Sequence, residues 1–284
     1  MRILVTGGDG QLGRSIGRRA RDHTVLAMSR RDLDVTAPDV GEAIRDLGPD
    51  VIVNGAAMTD VDGCELDPDT AFAVNALGAR NVAVGAALAG APLVQVSTDY
   101  VFDGEKGEPY WEFDSPAPLN VYGASKLAAE RLVTSVHREV FVVRTAWLYG
   151  TDGSSFVTRI MDLARERPYL EVVDGEVGSP TFCDDLADAL LALIETRAYG
   201  IHHLAGDGWC SRRAFARAIL DRAGMGDYPV RPLAHYTRPA RPPAFAPLRN
   251  FAAAQEGVRL PPWQTGLDRY FERASVAPNV GHRT

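Results

Sequence analysis

Tyr122 and Lys126 stand four residues apart in Tyr122-Gly123-Ala124-Ser125-Lys126. On a helix that spacing puts both side chains on one face. An ammonium beside a phenol favours tyrosinate and lowers the phenol pKa. Such a tyrosine can donate a proton to a carbonyl near neutral pH, and the lysine can also hydrogen-bond a ribose. Upstream, Ser97-Thr98-Asp99 closes the apolar run at residues 93–97. Thr98 therefore stands at the carboxyl end of an expected strand, where open α/β sheets bind ligands. Its hydroxyl is placed to contact the reacting oxygen beside Tyr122. Tyr-x-x-x-Lys alone is common by chance and describes a surface pair equally well.

A second group of residues suits a dinucleotide. Gly7-Gly8-Asp9-Gly10-Gln11-Leu12-Gly13 gives glycines at 7, 10 and 13, directly after a short apolar run. One glycine permits a tight turn, one lets backbone approach a pyrophosphate, and one lets the helix pack on the strand. The helix amino terminus then offers free N–H groups and the positive end of its dipole. The second apolar run ends in Ser29-Arg30-Arg31 rather than in a carboxylate. A hydroxyl and a guanidinium suit a 2′-phosphate, so NADPH is the expected cofactor and NADH the alternative. Asp34 and Val35 follow and are placed to flank the adenine.

These groups need a scaffold. Short runs rich in Val, Ile and Leu at residues 2–6, 24–29, 51–54, 93–97, 140–144 and 200–204 read as strands buried on both faces. Between them, residues 11–22, 40–47, 67–90, 120–137 and 183–195 read as helices, with further helices at 155–166 and 211–223. The alternation predicts an α/β fold with a doubly wound parallel sheet. Residues 1–150 would form the dinucleotide-binding domain, and 181–205 return to it. Residues 151–275 would form a smaller substrate-binding lobe, and a disordered tail would begin at about Val276. Six prolines between Pro229 and Pro247 exclude a central strand or a helix interior there. That stretch reads as a long loop over a site or an edge.

Composition bounds the partners. The 284 residues carry 30 Lys plus Arg against 37 Asp plus Glu, a formal net charge of -7. That balance gives no global attraction to nucleic acid or acidic membranes. No apolar run reaches the ~18 residues of a membrane span, and no signal peptide is expected ahead of MRILVTGG. Cys64, Cys183 and Cys210 lack metal-ligand spacing and read as reduced thiols of a cytoplasmic protein.

GGDGQLG, PDVIVNGAAMTDVDGCE, AFAVNALG, VQVSTDYVFDG, PLNVYGASKLAAE, VVRTAWLYG and GSPTFCDDLA together resemble the dTDP-4-dehydrorhamnose reductase family. This is a branch of the extended short-chain dehydrogenase/reductases, built on a Rossmann fold. The likeness runs from Met1 to about Phe271. It implies reduction at C4 of a dTDP-linked 4-keto-6-deoxyhexose, with Tyr122 as proton donor. Lys126 would hold the nicotinamide ribose and tune Tyr122, and Thr98 would contact the keto oxygen. Asp99, Tyr100 and Trp147 would line the sugar pocket. Gly10, Gln11, Leu12, Asp34, Val35, Ala56, Ala57 and Met58 fall on the cofactor positions, and Asn75 on a helix position near them. Related dehydratases carry Asp-Glu after the threonine, whereas this chain has Asp99-Tyr100. A core aromatic is the competing reading of Trp147.

The chain departs from the family pattern in two places. Ala246 and Arg249 occupy the places of a serine and an aspartate in a segment that borders the substrate in the family. Glu176 stands where the family has glutamine. Both changes fit a ketoreductase for another nucleotide-linked deoxysugar. A non-catalytic regulatory subunit of the same fold, a binding partner of methionine adenosyltransferase, is the more distant alternative. Some members bind Mg2+ through carboxylates at a homodimer interface; no clear carboxylate cluster here supports a metal. His202 and His203 would point to opposite faces of a strand, which disfavours a shared metal. Lys106 and Trp111 lie in an expected mobile loop beside the site, with Trp111 either a lid or a packing residue.

Overall fold

The computed structural model describes residues 1–234 and 236–276. The expected tail from about Val276 lies outside the described residues beyond its first position. The amino-terminal half alternates strand and helix: β1 (Arg2–Thr6), α1 (Gln11–Arg19), β2 (Thr24–Met28), α2 (Val40–Leu47), β3 (Val51–Asn54) and α3 (Val61–Leu66). A broken helix follows, with α4 (Pro68–Phe72), a π-helical segment at Ala73–Gly78 and α5 (Ala79–Ala89). Then come β4 (Leu93–Thr98), a 3-10 turn at Asp99–Val101, α6 (Val121–Val136) and β5 (Val140–Thr145). The second half contains β6 (Leu148–Tyr149), α7 (Phe156–Glu166), β7 (Leu170–Val173), β8 (Val177–Gly178), β9 (Thr181–Phe182) and α8 (Cys183–Thr196). It ends with β10 (Gly200–His203), β11 (Cys210–Ser211), α9 (Arg212–Arg222), β12 (Val230–Leu233), α10 (Phe251–Gln255) and α11 (Trp263–Val276).

Six strands form one parallel sheet in the order β10-β5-β4-β3-β1-β2. Alternate side chains of β1 serve opposite faces. Ile3 and Val5 join Leu12, Ile16, Leu186 and Leu190 under α1 and α8. Leu4 joins Ile44, Ile52, Val82, Ala86 and Val133 under α2, α5 and α6. Both faces are thus dry along β1, β3, β4 and β5, which is why these strands read as unbroken apolar runs. The strand order reverses between β1 and β3, so the ends of these two strands open a crevice suited to a ligand. The segments β6 to β9, α7, α9, β12 and α11 build a second core around Tyr149, Val157, Ile160, Phe182, Phe215, Ile219 and Leu267.

Several expectations change. The helix expected at 67–90 is interrupted by the π turn around Asn75. Pro68–Ala89 is also long and apolar enough to cross a membrane by length and composition alone. Here it is half buried, with Val82, Ala83 and Ala86 in the sheet core. The Pro-rich stretch is not loop throughout: β12 pairs in parallel with β7 in a two-stranded sheet. Both strands there are edges, so the missing N–H of Pro232 is tolerated.

Candidate active site

The glycine loop after β1 is shaped by close approach. Gly7 has φ +65°, and a Cβ there would lie 2.9 Å from the backbone of Gly55 and Ala56. A Cβ on Gly13 would lie 2.6 Å from the Cα of Gly8, so α1 packs directly on the loop. Gly8 is a further glycine with a steric role, because a Cβ there would meet the β2 backbone at Ala27 at 2.6 Å. At the other end of the loop, α1 begins at Gly10 with no side-chain cap and no acid in its first turn. Its first N–H groups are therefore open to the cleft, as an anion requires. Gln11 points inward too; its Nε2 donates to the Ser154 carbonyl at 2.7 Å, and its buried Oε1 has no partner. Together the bare helix end, the glycine cradle and the unsatisfied amide fit a dinucleotide pyrophosphate.

From this cradle the crevice runs in two directions. One arm, about 430 Å3, is lined by Arg30, Leu33, Asp34, Val35, Ala56, Ala57 and Met58, and suits an adenosine. Its outer end is a hollow bounded by Asp9, Ser29, Arg30, Arg31 and Asp34. The Ser29 hydroxyl is engaged there, donating to Asp32 at 2.6 Å. Arg30 is 80% exposed and reaches Asp34 only at 3.5 Å. Its guanidinium remains available to a phosphate.

The other arm, about 500 Å3, contains Thr98, Asp99, Tyr100, Tyr122, Lys126, Trp147 and Arg212 beside Gly10, Gln11 and Leu12. β4 ends by presenting Thr98, whose hydroxyl donates to Asp99 at 3.0 Å and accepts from the Tyr100 N–H at 3.2 Å. α6 starts with Asn120 accepting from the Gly123 N–H at 2.9 Å, and Glu65 of α3 accepts from the Val121 N–H at 2.9 Å. Two caps from different elements thus fix the turn that carries Tyr122. A Cβ on Gly123 would fall 2.1 Å from the Tyr100 carbonyl oxygen, so only glycine lets α6 sit this close to the β4 turn. The Tyr100 and Tyr122 rings meet edge to face with centroids 5.5 Å apart.

Burial dominates the electrostatics. It pushes the Tyr122 phenol up, with the Thr98 hydroxyl opposing and Asp99, Tyr100 and Cys64 adding to the rise. The phenol therefore lies above its ordinary value, opposite to the lowering expected from a neighbouring ammonium. Burial lowers Lys126 to about 8, opposed by the Glu130 carboxylate. Asp99 is raised to about 7 by burial, opposed by the Thr98 hydroxyl and the Arg212 charge. Lys126 and Asp99, ordinarily fixed in charge near neutral pH, thus stand closer to switching, whereas Tyr122 is held in its protonated, proton-donating form.

Asn75 is enclosed rather than lining the crevice, at 1% exposure. Its Oδ1 accepts from the Met58 N–H at 2.7 Å, and its Nδ2 donates to the Met58 carbonyl and the Ser125 hydroxyl. Ser125 in turn donates to the Tyr122 carbonyl at 2.8 Å. Asn75 therefore ties the loop after β3 to the helix bearing Tyr122 and Lys126.

Opposite Tyr122, Trp147 has a left-handed backbone, φ +45°, which is strained for a bulky residue. Arg212 at the start of α9 stacks on its ring at 3.5 Å from the centroid. Gly178 borders the indole so closely that a Cβ there would lie 2.4 Å from it. Arg212 faces Glu176 at 3.5 Å. Sequence reasoning singled out Trp147 and missed Arg212, which no spacing distinguishes from its neighbour Arg213. Glu176, noted only as a departure, is the countercharge. The Pro-rich loop reaches over this side, with Arg238 bound to Asp62 of α3 at 2.9 Å and Asn120 Nδ2 donating to the Arg241 carbonyl at 2.8 Å.

Over residues 1–276 the chain matches the family described as RmlD substrate binding domain. It is 41% identical to the dTDP-4-dehydrorhamnose reductase of Mycobacterium tuberculosis across 94% of this chain and 91% of that protein. The chain belongs to the dTDP-4-dehydrorhamnose reductase family. A solved structure from that family, from Clostridium acetobutylicum, superposes with TM-score 0.94 at 38% identity, covering 97% of this chain and 100% of that one. Another, from Bacillus anthracis in complex with NADP, superposes with TM-score 0.93 at 38% identity, covering 96% and 99%.

The departures from the family pattern fall in unexpected places. Ala246 is buried at 1% exposure, its N–H donating to Val177 at 3.0 Å, and does not line the cleft. Arg249 stacks on Trp111 at 4.0 Å and lines a separate cavity of about 580 Å3 with Trp209 and Phe251. Neither residue reaches the reacting groups. Trp111 is a packing residue against Phe251 and Arg249, and the loop around it is pinned by Lys106 to Asp114 at 2.6 Å and by Tyr110 to Asp103 at 2.6 Å. The acids of α8 are taken by arginines: Asp184 by Arg18 and Arg273, Asp185 by Arg269, Asp188 by Arg19. His202 bonds the Ala198 carbonyl at 2.6 Å, while His203 is buried beside Arg144 and Phe102.

Proposed function

We propose that this enzyme reduces the C4 ketone of dTDP-4-dehydrorhamnose with NADPH, giving dTDP-L-rhamnose. What carries the reading is one continuous crevice joining the glycine cradle to Thr98, Tyr122 and Lys126. The NADP complex of the Bacillus anthracis reductase, at 38% identity, supports the cofactor. Gly7, Gly10, Gln11, Leu12 and Gly13 would hold the pyrophosphate, and Arg30 the 2′-phosphate. Asp34, Val35, Ala56, Ala57 and Met58 would flank the adenosine. Bound NADPH supplies a hydride, which forms the new C4–H bond. Tyr122 gives its proton to the C4 oxygen and regains one from solvent. Thr98 hydrogen-bonds that oxygen, and Lys126 orients the ribose and stabilises the phenolate left on Tyr122. Asp99, Tyr100 and Trp147 position the sugar. Catalysis comes from this positioning and proton donation. Three free thiols agree with a reducing compartment such as the cytoplasm.

The decisive assay is NADPH oxidation with enzymatically generated dTDP-4-dehydrorhamnose, with the product identified by NMR. Turnover to dTDP-L-rhamnose is expected. NADPH binding without turnover would redirect the assignment to another 4-ketosugar nucleotide. Absence of NADPH binding would leave the regulatory-subunit reading.

A further inference from the structure

The cavity of about 580 Å3 that Arg249 borders shares no lining residue with the catalytic crevice or the adenosine arm. Small-molecule pockets run to roughly 300–1,000 Å3, so it has room for a ligand of nucleotide size. Its walls come from the turn after β10, the end of the Pro-rich segment with α10, and the turn before α11. Side-chain and backbone bonds fix these pieces to one another. Asn250 Nδ2 donates to the Ala205 carbonyl at 2.7 Å, and its Oδ1 accepts from the Ala205 N–H at 3.0 Å. The Asp207 N–H donates to the Pro261 carbonyl at 2.9 Å, and the Trp263 N–H to the Asp207 carbonyl at 3.0 Å. The start of α10 is already satisfied, because Glu112 Oε1 accepts from the Phe251 and Ala252 N–H groups at 3.0 and 2.9 Å. Any recognition in the cavity therefore falls to its side chains.

Two guanidiniums line it, Arg249 and Arg259, and neither has an ion pair or a side-chain hydrogen bond among the described residues. Arg18, Arg19, Arg269 and Arg273, by contrast, are each bound to an acid of α8. Arg249 is held all the same: its stacking on Trp111 at 4.0 Å uses its face and none of its N–H groups. Beside the two charges lie flat apolar surfaces. Trp209 is 52% exposed and meets Phe245 edge to face with centroids 6.4 Å apart, and Phe251 is 37% exposed. Asp207 is the acid in the lining, also without an ion pair. Guanidiniums suit phosphate oxygens, open aromatic faces suit a base, and a carboxylate suits hydroxyl donors. We propose that this cavity is a second nucleotide site. It takes a nucleoside diphosphate, with Arg249 and Arg259 on the phosphates, the base on Trp209 and Phe251, and a ribose hydroxyl donating to Asp207. Arg249 stands at the place of an aspartate in the family pattern, so the site belongs to this chain and not to that pattern.

Tryptophan reads the two sites apart. The chain has four: Trp147 lines the catalytic crevice, Trp209 lines this cavity, Trp111 stacks on Arg249, and Trp263 is buried. The full-length protein carrying 5-fluorotryptophan is titrated with dTDP, UDP, ADP and GDP, its 19F signals assigned with single Trp→Phe variants. At least one nucleotide should move Trp209 and Trp111 together along one saturable curve, half complete below about 1 mM. Arg249→Asp, which restores the residue of the family pattern, should raise the Trp209 midpoint at least about tenfold, the loss of one charge-assisted bond, and leave the Trp147 response unchanged. Arg259→Gln should raise it too, again without moving Trp147. Trp209 and Trp111 signals that none of the four nucleotides moves overturn the proposal. A response that survives both substitutions overturns it as well, as does one that inorganic pyrophosphate reproduces at the same midpoint, since the aromatic surfaces would then contribute nothing. Tetraglutamate saturating these signals more tightly than every nucleotide would reassign the cavity to an acidic protein segment. The site stands apart from the reaction assigned to the crevice, whose occupancy Trp147 reports.

Discussion

The two walls of the catalytic arm are built differently. The wall bearing Thr98, Asp99, Tyr122 and Lys126 comes from one strand end and one helix turn, tied by the Asn120 cap and the close Gly123 contact. Thr98 and Lys126 are buried and Tyr122 is half-buried at the crevice, and the turn that carries Tyr122 is fixed by Asn120, Glu65 and, through Ser125, Asn75. The facing wall presents Trp147 and Arg212, backed by Gly178 and Glu176, residues from separate segments of the chain held by a stacked guanidinium and an ion pair. The loop carrying Arg238 closes over it through another ion pair. Chemistry sits on short, rigid, local geometry, whereas recognition sits on long-range charge pairing that a few substitutions can retune. Changes on the first wall should therefore act on kcat, and changes on the second on KM.

The largest effect belongs to the first wall. Tyr122→Phe keeps the ring against Tyr100 but removes the transferable proton. Loss of a positioned general acid costs typically 10²–10⁴-fold. We expect kcat to fall by about that range, with NADPH affinity within twofold of the parent by fluorescence titration. Near-normal turnover would show that the first wall is not where the proton comes from.

Arg212→Gln probes the second wall. A hydrogen bond to a charged group contributes about 1.5–3 kcal/mol, so KM for the ketosugar nucleotide should rise about tenfold or more while kcat changes less. The same variant tests the electrostatics. The Arg212 charge opposes the burial that raises Asp99 to about 7. Removing that charge raises Asp99 further, so an acid limb of kcat/KM governed by its ionisation moves to higher pH. A fall confined to kcat, with the acid limb in place, would erase the distinction between the walls.

That distinction also explains what could be read in the sequence. Tyr122 and Lys126 were legible because 3.6 residues per turn fixes their common face, and the glycine loop because a strand-to-helix turn at the β1 end needs small residues at set offsets. The four inner strands were legible because both faces of the sheet are dry there. Arg212 was not, since its partners Trp147 and Glu176 become neighbours only after β8 pairs with β11. Asn75 was placed near the cofactor, but its amide is fully used by Met58 and Ser125, and the π turn that carries it has no signature in AVNALG. Ala246 and Arg249 looked like substrate contacts because their segment borders the substrate in the family. In the fold, Ala246 faces the core beside Phe102 and Leu248, and Arg249 faces the opposite cavity.

The smallest effect lies farthest from either wall, at the outer end of the adenosine arm. Arg30 is exposed and only loosely joined to Asp34, at 3.5 Å, so its guanidinium meets a phosphate in a solvent-screened setting. Exposed charge pairs of this kind contribute up to about 1 kcal/mol. Arg30→Ala should therefore weaken NADPH binding by about fivefold, with the NADH dissociation constant within twofold of the parent. The contrast with NADH carries the meaning, since the two cofactors differ only by the 2′-phosphate. The effect should also shrink as salt rises from 0.05 to 0.5 M in ionic strength, roughly the range over which exposed charges become screened. Equal losses with both cofactors would mean that Arg30 shapes the hollow rather than reading the phosphate, and Arg31 would then be the residue to replace.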